Sequence, residues 1–269
     1  MVEADIIPSA RHALITGAGS GIGAAIAQTL AQNGCRLTLC GRSQERLDKQ
    51  AQLLRALVPD AAIHTVAVDV GDEGSVAGAI EQAHQQFGSV NILVNNAGQA
   101  QSQSFLRTDA ALWQQMLQVN LTGTYHMMHA VLPQMLAAAT SGTPGRIINI
   151  ASTAGLMGYA YVSAYVAAKH GVVGLTKALA IELANKNITV NALCPGYTET
   201  DIVQEAVRNI VTKTAQTEAQ ARTVLTARNP QQRFVQPDEV AQSVWWLCAP
   251  GSGAINGQAI AIDGGEQAG

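Results

Sequence analysis

Short apolar runs alternate with longer helix-like segments along most of the chain, and this alternation constrains the fold more than any other feature. The runs have the length of buried strands, whereas the segments between them have helical length and periodicity. Parallel strands joined by right-handed helical crossovers fit this order. The sequence therefore predicts an α/β fold, a three-layer, doubly wound sheet of seven mainly parallel strands with helices on both faces.

The strands are predicted over residues 12–16, 36–40, 62–68, 91–95, 146–150, 188–193 and 258–262. The helices are predicted over residues 21–33, 44–57, 73–87, 111–139, 163–184 and 237–248. Between Leu193 and Pro237 the alternation breaks, and residues 201–228 are polar, helix-compatible and without a strong apolar face. Long connections are usually lids or binding loops. We therefore expect one domain over residues 1–269, with a substrate lid at about 197–233.

Composition argues against several classes of protein. Sixteen Lys and Arg against nineteen Asp and Glu give a net charge of −3, and no basic run is present, so we expect no nucleic-acid partner. Residues 1–5 are acidic, where a signal peptide would be basic. The cysteines show neither redox nor zinc spacing and are typical of buried thiols in a reducing, cytoplasmic compartment; they are Cys35, Cys40, Cys194 and Cys248.

Residues 110–145 contain no Asp, Glu, Lys or Arg, in a chain with only 13% charged residues. Polar side chains such as Gln114 and Asn120, together with Pro133, interrupt the apolar run, so we expect no membrane span. Two interpretations stay open: a buried central helix, or a subunit interface on that helix. His126 and His129 are three residues apart there without a carboxylate, so we predict no metal site.

A glycine-rich turn follows the first predicted strand and opens the first predicted helix. It reads Thr-Gly-Ala-Gly-Ser-Gly-Ile-Gly over residues 16–23. Glycines let the backbone approach a pyrophosphate closely, and the start of the helix offers unpaired N–H groups and a positive dipole end. Because the strand–turn–helix context is present, the turn predicts a dinucleotide site.

The turn has the spacing TGxxxGxG, and further motifs follow it in order: Asn-Asn-Ala-Gly at 95–98, Asn120, Ser152, Tyr165-x-x-x-Lys169 and Pro195-Gly196. Over about residues 12–262 the sequence resembles the short-chain dehydrogenase/reductase family. The general similarity is closest to 3-oxoacyl reductases, 3-hydroxybutyrate-type dehydrogenases and polyketide ketoreductases. The resemblance implies a Rossmann-type fold with a seven-stranded sheet, NAD(P) binding and, commonly, a homotetramer.

Four residues form the candidate catalytic set. Tyr165 and Lys169 are four residues apart on a predicted helix and so share a face. We expect the ammonium to lower the pKa of the tyrosine, so that Tyr165 exchanges a proton with the substrate oxygen. Ser152, just past a strand end, can hold that oxygen in line with Tyr165. The resemblance implies that Lys169 also binds the nicotinamide ribose and that Asn120 holds a relay water.

The resemblance also implies the cofactor contacts. Asp69 is expected at the adenine amino group, with an N-cap of the following helix as the alternative. Asn96 is expected near the adenine ribose, Asn95 between central strands, and the 195–200 segment at the nicotinamide carboxamide. Thr198 replaces the family's usual Val or Ile. The full expected set is Gly17, Gly19, Ser20, Gly21, Ile22, Gly23, Arg42, Asp69, Val70, Asn96, Ala97, Gly98, Tyr165, Lys169, Pro195, Gly196, Thr198 and Thr200.

The end of the second strand favours NADP, with NAD as the alternative. NAD sites usually carry an acidic residue there, which binds the ribose hydroxyls. Here Gly41 occupies that place, and Arg42 can pair with a 2′-phosphate. Ser20 stands where many NADP-preferring relatives have a second basic residue.

The predicted function is NAD(P)-dependent hydride transfer between a ketone and a secondary alcohol, with a 3-oxoacyl thioester or related neutral ketone as substrate. Specificity is expected in residues 99–105, 154–164 and 197–233, where Tyr159 and Tyr161 are aromatic. Three alternatives remain: a steroid, aryl or cyclic alcohol dehydrogenase, a nucleotide-binding regulator without turnover, and an extended-type epimerase or dehydratase. Basic residues of the lid either meet a carrier phosphate or form a solvated surface; these are Arg208, Lys213, Arg222 and Arg228.

Overall fold

The structure, a computed structural model, describes residues 11–268, so the acidic residues 1–5 lie outside it. Within that range seven strands form one sheet in the order β3-β2-β1-β4-β5-β6-β7, and every neighbouring pair is parallel. The strands are β1 His12–Thr16, β2 Arg36–Gly41, β3 Ile63–Ala67, β4 Ile92–Asn95, β5 Gly145–Ile150, β6 Ile188–Pro195 and β7 Ala259–Ile262. The predicted strands are confirmed to within two residues at each end.

Helices cover both faces of the sheet, as the predicted doubly wound fold requires. One apolar core joins the sheet to α1, α2 and α9, and a second core joins it to α3, α5 and α6. No helix of the described chain is long and apolar enough to cross a membrane. The helices are α1 Gly21–Gln32, α2 Gln44–Leu57, α3 Glu73–Phe87, α4 Ala110–Leu117, α5 Gly123–Thr140, α6 Ser163–Leu183, α7 Asp201–Lys213, α8 Glu218–Thr226 and α9 Pro237–Cys248.

The helix predicted over residues 111–139 is interrupted by one π-helical turn, Gln118–Thr122, between α4 and α5. Asn120 lies in the middle of this turn and is fully buried. Its side-chain amide donates to the Met116 carbonyl at 2.9 Å, in competition with the backbone ladder. Such turns often mark functional positions in otherwise regular helices.

The segment after β6 differs from its sequence prediction, because residues 201–228 do have an apolar face. Val203 and Val207 of α7, Ala221 of α8 and Phe234 pack together in a small cluster of their own. The expectation of no strong apolar face was wrong, because Val203 and Val207 are four residues apart on α7 and share a buried face. Ala221 and Phe234 join this face only in the tertiary arrangement.

Candidate active site

The segment that follows β4 is hydrogen-bonded to the glycine turn at the carboxyl edge of the sheet. Thr16 Oγ1 accepts hydrogen bonds from the backbone N–H groups of Asn96 and Ala97, both at 2.9 Å. Asn96 Nδ2 donates in return to the carbonyls of Thr16 at 3.0 Å and Gly17 at 3.2 Å. The segment after β4 therefore fixes the turn after β1. Asn95, by contrast, lies between strands and donates to Asn149 Oδ1 at 2.8 Å, as expected.

The turn requires glycine at specific positions. Gly17 and Gly21 have φ of 65° and 53°, in the left-handed region. A Cβ atom on Gly23 would lie 2.2 Å from the Gly17 carbonyl oxygen, and one on Gly21 would lie 3.1 Å from Thr200 Cγ2. Ser20 is the N-cap of α1, and its side chain makes no capping hydrogen bond. This open cradle at a helix start fits the pyrophosphate of a dinucleotide.

Two exposed arginines lie between the end of β2 and the first turn of α2. Arg42 follows β2 directly and is exposed. Arg46, also exposed, lies on the first turn of α2, and a Cβ atom on Gly19 would be 3.2 Å from Arg46 Cβ. Sequence reasoning missed Arg46, although its spacing of four residues from Arg42 could have suggested it. The second basic side chain thus comes from α2, whereas position 20 is a serine.

Asp69 does not cap α3. The N-cap is Asp72, whose carboxylate accepts from the Ser75 N–H at 2.6 Å. Asp69 Oδ1 accepts instead from the Gly71 N–H at 2.9 Å, in the turn after β3, and its side chain remains exposed. Val70 is buried against the start of α5. The N-cap alternative for Asp69 is therefore wrong, and the expected adenine contact stays a prediction.

Ser152, Tyr165 and Lys169 come together beyond the end of β5. Ser152 Oγ accepts from the Ala154 N–H at 3.1 Å, at the start of a short 3₁₀ turn, Thr153–Gly155. Lys169 is buried, and its ammonium donates to the Ile150 carbonyl at 2.8 Å. The same Nζ atom lies 5.6 Å from the centroid of the Tyr165 ring. The i, i+4 pair on α6 thus faces the strand end that carries Ser152.

The electrostatics of this group differ from the expectation. Burial raises the pKa of Tyr165 to about 12, and a hydrogen bond from the Ser152 side chain only partly opposes this. Burial also lowers the pKa of Lys169 from 10.5 to about 8. The predicted lowering of the tyrosine pKa by Lys169 is therefore wrong for the protein without cofactor. Removal of each group from water disfavours its charged form, which is the phenolate for Tyr165 and the ammonium for Lys169.

Asn120 and Gly98 complete the group from the other side. Asn120 Nδ2 donates to the Gln99 carbonyl at 2.9 Å, and its Oδ1 accepts from the Gln99 N–H at 3.1 Å. A Cβ atom on Gly98 would lie 2.8 Å from Asn120 Oδ1 and 3.7 Å from Lys169 Nζ. Both atoms therefore border the space that a side chain at position 98 would fill, and all four candidate catalytic residues lie in one region.

The segment that follows β6 lies against the glycine turn. The Gly196 N–H donates to the Ile262 carbonyl at 3.0 Å, which ties the segment to β7. Thr198 is buried and its hydroxyl donates to the Gly196 carbonyl at 3.0 Å, so this threonine serves a local turn. Thr200 Oγ1 donates to the Thr198 carbonyl at 3.2 Å. Its methyl group faces Gly21, as described above, so the segment covers the cradle.

The two histidines of α5 have partners other than metal. His126 Nδ1 lies 3.0 Å from the Val70 carbonyl oxygen, and the His129 ring stacks on Tyr125 with centroids 5.4 Å apart. Among the described residues, no group of three or more His, Cys, Asp or Glu side chains could hold a metal ion.

Comparison with known proteins gives one consistent result. Residues 11–210 match the family described as short chain dehydrogenase. The chain is 41% identical over 255 residues to a protein of the granaticin polyketide synthase of Streptomyces violaceoruber, assigned as ketoacyl reductase 1, covering 94% of this chain and 92% of the relative. It is 34% identical over 252 residues to a 3-oxoacyl-[acyl-carrier-protein] reductase of Thermotoga maritima, and the match covers 94% of this chain and 96% of the relative.

A solved structure agrees with these relatives. A variant of actinorhodin polyketide ketoreductase, solved with NADPH, superposes with a TM-score of 0.90 at 37% identity. The match covers 96% of this chain and 97% of the other chain. The similarity therefore extends over almost the whole length of both proteins.

Proposed function

This chain belongs to the short chain dehydrogenase family, and we propose that its preferred reaction is the NADPH-dependent reduction of a 3-oxoacyl thioester or a related neutral ketone. As a member of the family it is an NAD(P)-dependent oxidoreductase that interconverts a ketone and a secondary alcohol. The convergence of Ser152, Tyr165 and Lys169 at one strand end carries the proposal for the reacting site. Two relatives named for the reduction of ketoacyl or oxoacyl groups support the choice of substrate.

In this proposal Tyr165 is the proton donor and Ser152 holds the carbonyl oxygen. Because the pKa of Tyr165 is about 12, its phenol is protonated at neutral pH, which is the form that reduction needs. The bound nicotinamide supplies the hydride that adds to the carbonyl carbon. Lys169 binds the nicotinamide ribose hydroxyls, and Asn120 keeps a relay water near the ammonium.

The cofactor contacts are proposed on the same residues that form the cradle. The turn between β1 and α1 holds the pyrophosphate, Asp69 and Val70 border the adenine, and Thr198 and Thr200 face the carboxamide. Tyr165 and Lys169 bind the ribose next to the reacting carbon. The remaining proposed contacts are Gly17, Gly19, Ser20, Gly21, Ile22, Gly23, Arg42, Asn96, Ala97, Gly98, Pro195 and Gly196.

NADP is the proposed cofactor because Gly41 replaces the carboxylate that usually ends the second strand of an NAD site, and the exposed Arg42 and Arg46 follow it. Gly41 occupies the place of the acid that would repel a phosphate. Arg42 can pair with the phosphate through a charge-assisted fork, and Arg46 adds a second positive charge beside Gly19. The actinorhodin polyketide ketoreductase variant, a similar protein solved with NADPH, supports this choice. The NADP assignment thus follows from the charges after β2.

A second candidate is the dehydrogenation of a cyclic or aryl secondary alcohol. The rings of Tyr159 and Tyr197 stand edge to face, 6.5 Å apart at 87°, near the expected substrate side. Two such rings can pack on both the edge and the face of a cyclic substrate. Both candidates use the same catalytic residues, so the substrate alone distinguishes them.

The test measures oxidation of NADPH and NADH with a panel of 3-oxoacyl thioesters, aryl ketones and cyclic ketones. We expect the highest kcat/KM with NADPH and a 3-oxoacyl thioester. A preference for cyclic ketones would favour the second candidate. The absence of turnover with every ketone would contradict both, even if either nucleotide still bound.

We further propose one NAD(P)-binding domain with a lid at about 197–233, assembled as a cytoplasmic homotetramer. All four cysteines are buried and free, as in a reducing compartment. α5 exposes 45% of Tyr125 and α6 exposes 80% of Ile181, on the helices where the family resemblance implies subunit contacts. A shallow groove of about 410 Å³ lies beside Ile181, lined by Lys177, Ala180, Ala184, Asn256 and Gly257. Large exposed apolar side chains favour an interface there.

A further inference from the structure

Tyr159 connects three segments around the expected substrate cleft. Its hydroxyl donates to Glu266 Oε1 at 2.7 Å and accepts from Thr153 Oγ1 at 2.8 Å. The guanidinium carbon of Arg228 lies 5.0 Å from the centroid of the Tyr159 ring, and Tyr197 packs edge-on against the ring. The loop after Ser152, the lid at Tyr197 and Arg228, and the C-terminal segment around Glu266 therefore meet at one side chain.

This meeting point lies next to the catalytic group. Thr153 directly follows Ser152 in the chain. Tyr197 is close enough to Tyr165 to contribute electrostatically to its raised pKa. A Cβ atom on Gly196 would lie 3.6 Å from Glu266 Oε2. A shift of the Tyr159 ring would therefore change the wall of the cleft and leave the reacting residues in place.

The C-terminal segment is held rigidly enough to position Glu266. Asp263 accepts through Oδ1 from the Gly265 N–H and through Oδ2 from the Gln267 N–H, both at 2.9 Å. Gly264 and Gly265 have φ of 66° and 97°, and a Cβ atom on Gly264 would lie 2.1 Å from Asn229 Oδ1. The turn is thus closed by its own aspartate and packed directly against the end of the lid.

The Glu266 carboxylate is a buried charge that must be satisfied. Its side chain is 5% exposed; the carboxylate accepts a hydrogen bond from the Tyr159 hydroxyl and faces Arg228 Nη1 at 4.0 Å. A buried carboxylate without such partners is strongly disfavoured, so these contacts fix one arrangement of the three side chains. Burial and the nearby carboxylate raise the pKa of Tyr159, so that its hydroxyl stays protonated as a donor.

We propose that Glu266 is a positioning residue for substrate selection, which acts through Tyr159 on the aromatic wall formed by Tyr159 and Tyr197. The apolar part of the ketone packs against this wall, and Glu266 holds the wall in its binding position. This inference rests on the proposed function, since it assigns the side of the cleft that receives the group next to the carbonyl. It makes the C-terminal turn, over residues 263–268, part of the substrate site.

The experiment compares Glu266→Ala, Glu266→Gln and Tyr159→Phe with the wild-type chain, using its best ketone. We expect Glu266→Ala and Tyr159→Phe to raise KM about tenfold, with kcat within about twofold and the Kd for NADPH unchanged. Glu266→Gln keeps an amide oxygen that can accept from Tyr159, so it should restore KM to within about threefold of wild type. Glu81→Ala, which removes an exposed carboxylate on α3, is the matched control and should change nothing.

The outcomes separate this inference from the proposed function. If the wild-type chain reduces no ketone, the proposed function fails, and the inference fails with it. If the wild type is active but Glu266→Ala keeps its KM, or loses kcat and NADPH affinity together, the positioning role is wrong while the function stands. In the double variant Tyr159→Phe/Glu266→Ala, KM should rise no further than in either single variant. Additive effects would mean that Glu266 does not act through Tyr159.

Discussion

Lys169 Nζ lies over the face of the Tyr165 ring, 5.6 Å from its centroid, and gives its hydrogen bond to the Ile150 carbonyl. The ammonium therefore stabilises the position of the ring and of the end of β5 more directly than it stabilises a phenolate at Tyr165. Burial raises the pKa of Tyr165 to about 12 and lowers that of Lys169 to about 8. The candidate reacting site therefore holds a protonated phenol, and burial of the charged Lys169 side chain lowers the free energy of unfolding.

The first prediction concerns proton transfer. Tyr165→Phe removes the proposed proton donor but keeps the ring, so ketone reduction should fall by roughly 10²–10⁴-fold while NADPH still binds. Steady-state kinetics and a fluorescence titration of NADPH measure the two effects. Tyr125→Phe is the control, because that side chain is 45% exposed on α5 and lies outside the expected specificity segments, and it should keep near wild-type activity. A Tyr165→Phe enzyme with more than a tenth of the wild-type rate would exclude Tyr165 as the donor.

The second prediction concerns stability and pH at Lys169. Its folded pKa of about 8 lies below the unfolded value of 10.5, so folding is penalised below pH 8 and the penalty disappears as the pH rises toward 10.5. The shift corresponds to on the order of 3 kcal/mol, from which the lost hydrogen bond to Ile150 subtracts about 1 kcal/mol. Lys169→Met should therefore raise the free energy of unfolding at pH 7 and inactivate the enzyme.

Urea denaturation at pH 7 and at pH 9.5 checks this prediction. The advantage of Lys169→Met over wild type should shrink at the higher pH, where the buried lysine is already neutral. Lys177→Met, at an exposed position of the same helix, should show no such pH-dependent difference. Equal stability of Lys169→Met and wild type at both pH values would contradict a costly buried ammonium.

The third prediction concerns cofactor choice. Gly41→Asp combined with Arg42→Ala adds repulsion and removes a phosphate partner, so kcat/KM should fall for NADPH and stay equal or rise for NADH. Arg46→Ala alone should weaken binding of adenosine 2′,5′-bisphosphate, measured by calorimetry, about three- to tenfold. Lys49→Ala, also exposed on α2, is the control for loss of one positive charge. If the ratio of kcat/KM with NADPH to kcat/KM with NADH does not change in the Gly41/Arg42 variant, the NADP assignment is wrong.

The fourth prediction concerns assembly. Light scattering at micromolar concentration should give the mass of a tetramer for the wild-type chain, since most homotetramers combine two-fold interfaces. Ile181→Glu places a charge on the proposed interface of α6 and should lower the mass without unfolding the chain. Val211→Glu, at a 37% exposed position of the lid, should leave the mass unchanged. A monomeric wild type would show that the uncharged stretch serves the core alone.

The uncharged stretch, residues 110–145, shows which parts of the fold could be predicted from the sequence. Alternating apolar runs predicted each strand, because buried parallel strands need continuous apolar residues whatever their neighbours are. The pattern also predicted helical structure across residues 111–139, where α5 buries Met127, Met128 and Val131. It did not predict the π turn at Asn120, because that turn depends on hydrogen bonds to Gln99, which lies in a different loop.

The sequence by itself determined the chemistry of the site, since the glycine spacing, Ser152, Tyr165 and Lys169 are local or periodic features that helix and strand geometry place predictably. The tertiary structure decided what depends on distant segments. It brought Arg46 beside Gly19 and Glu266 against Tyr159, and its burial raised rather than lowered the pKa of Tyr165. Spacing along a chain fixes neighbours within one element, whereas contacts and desolvation arise only when separate elements pack together.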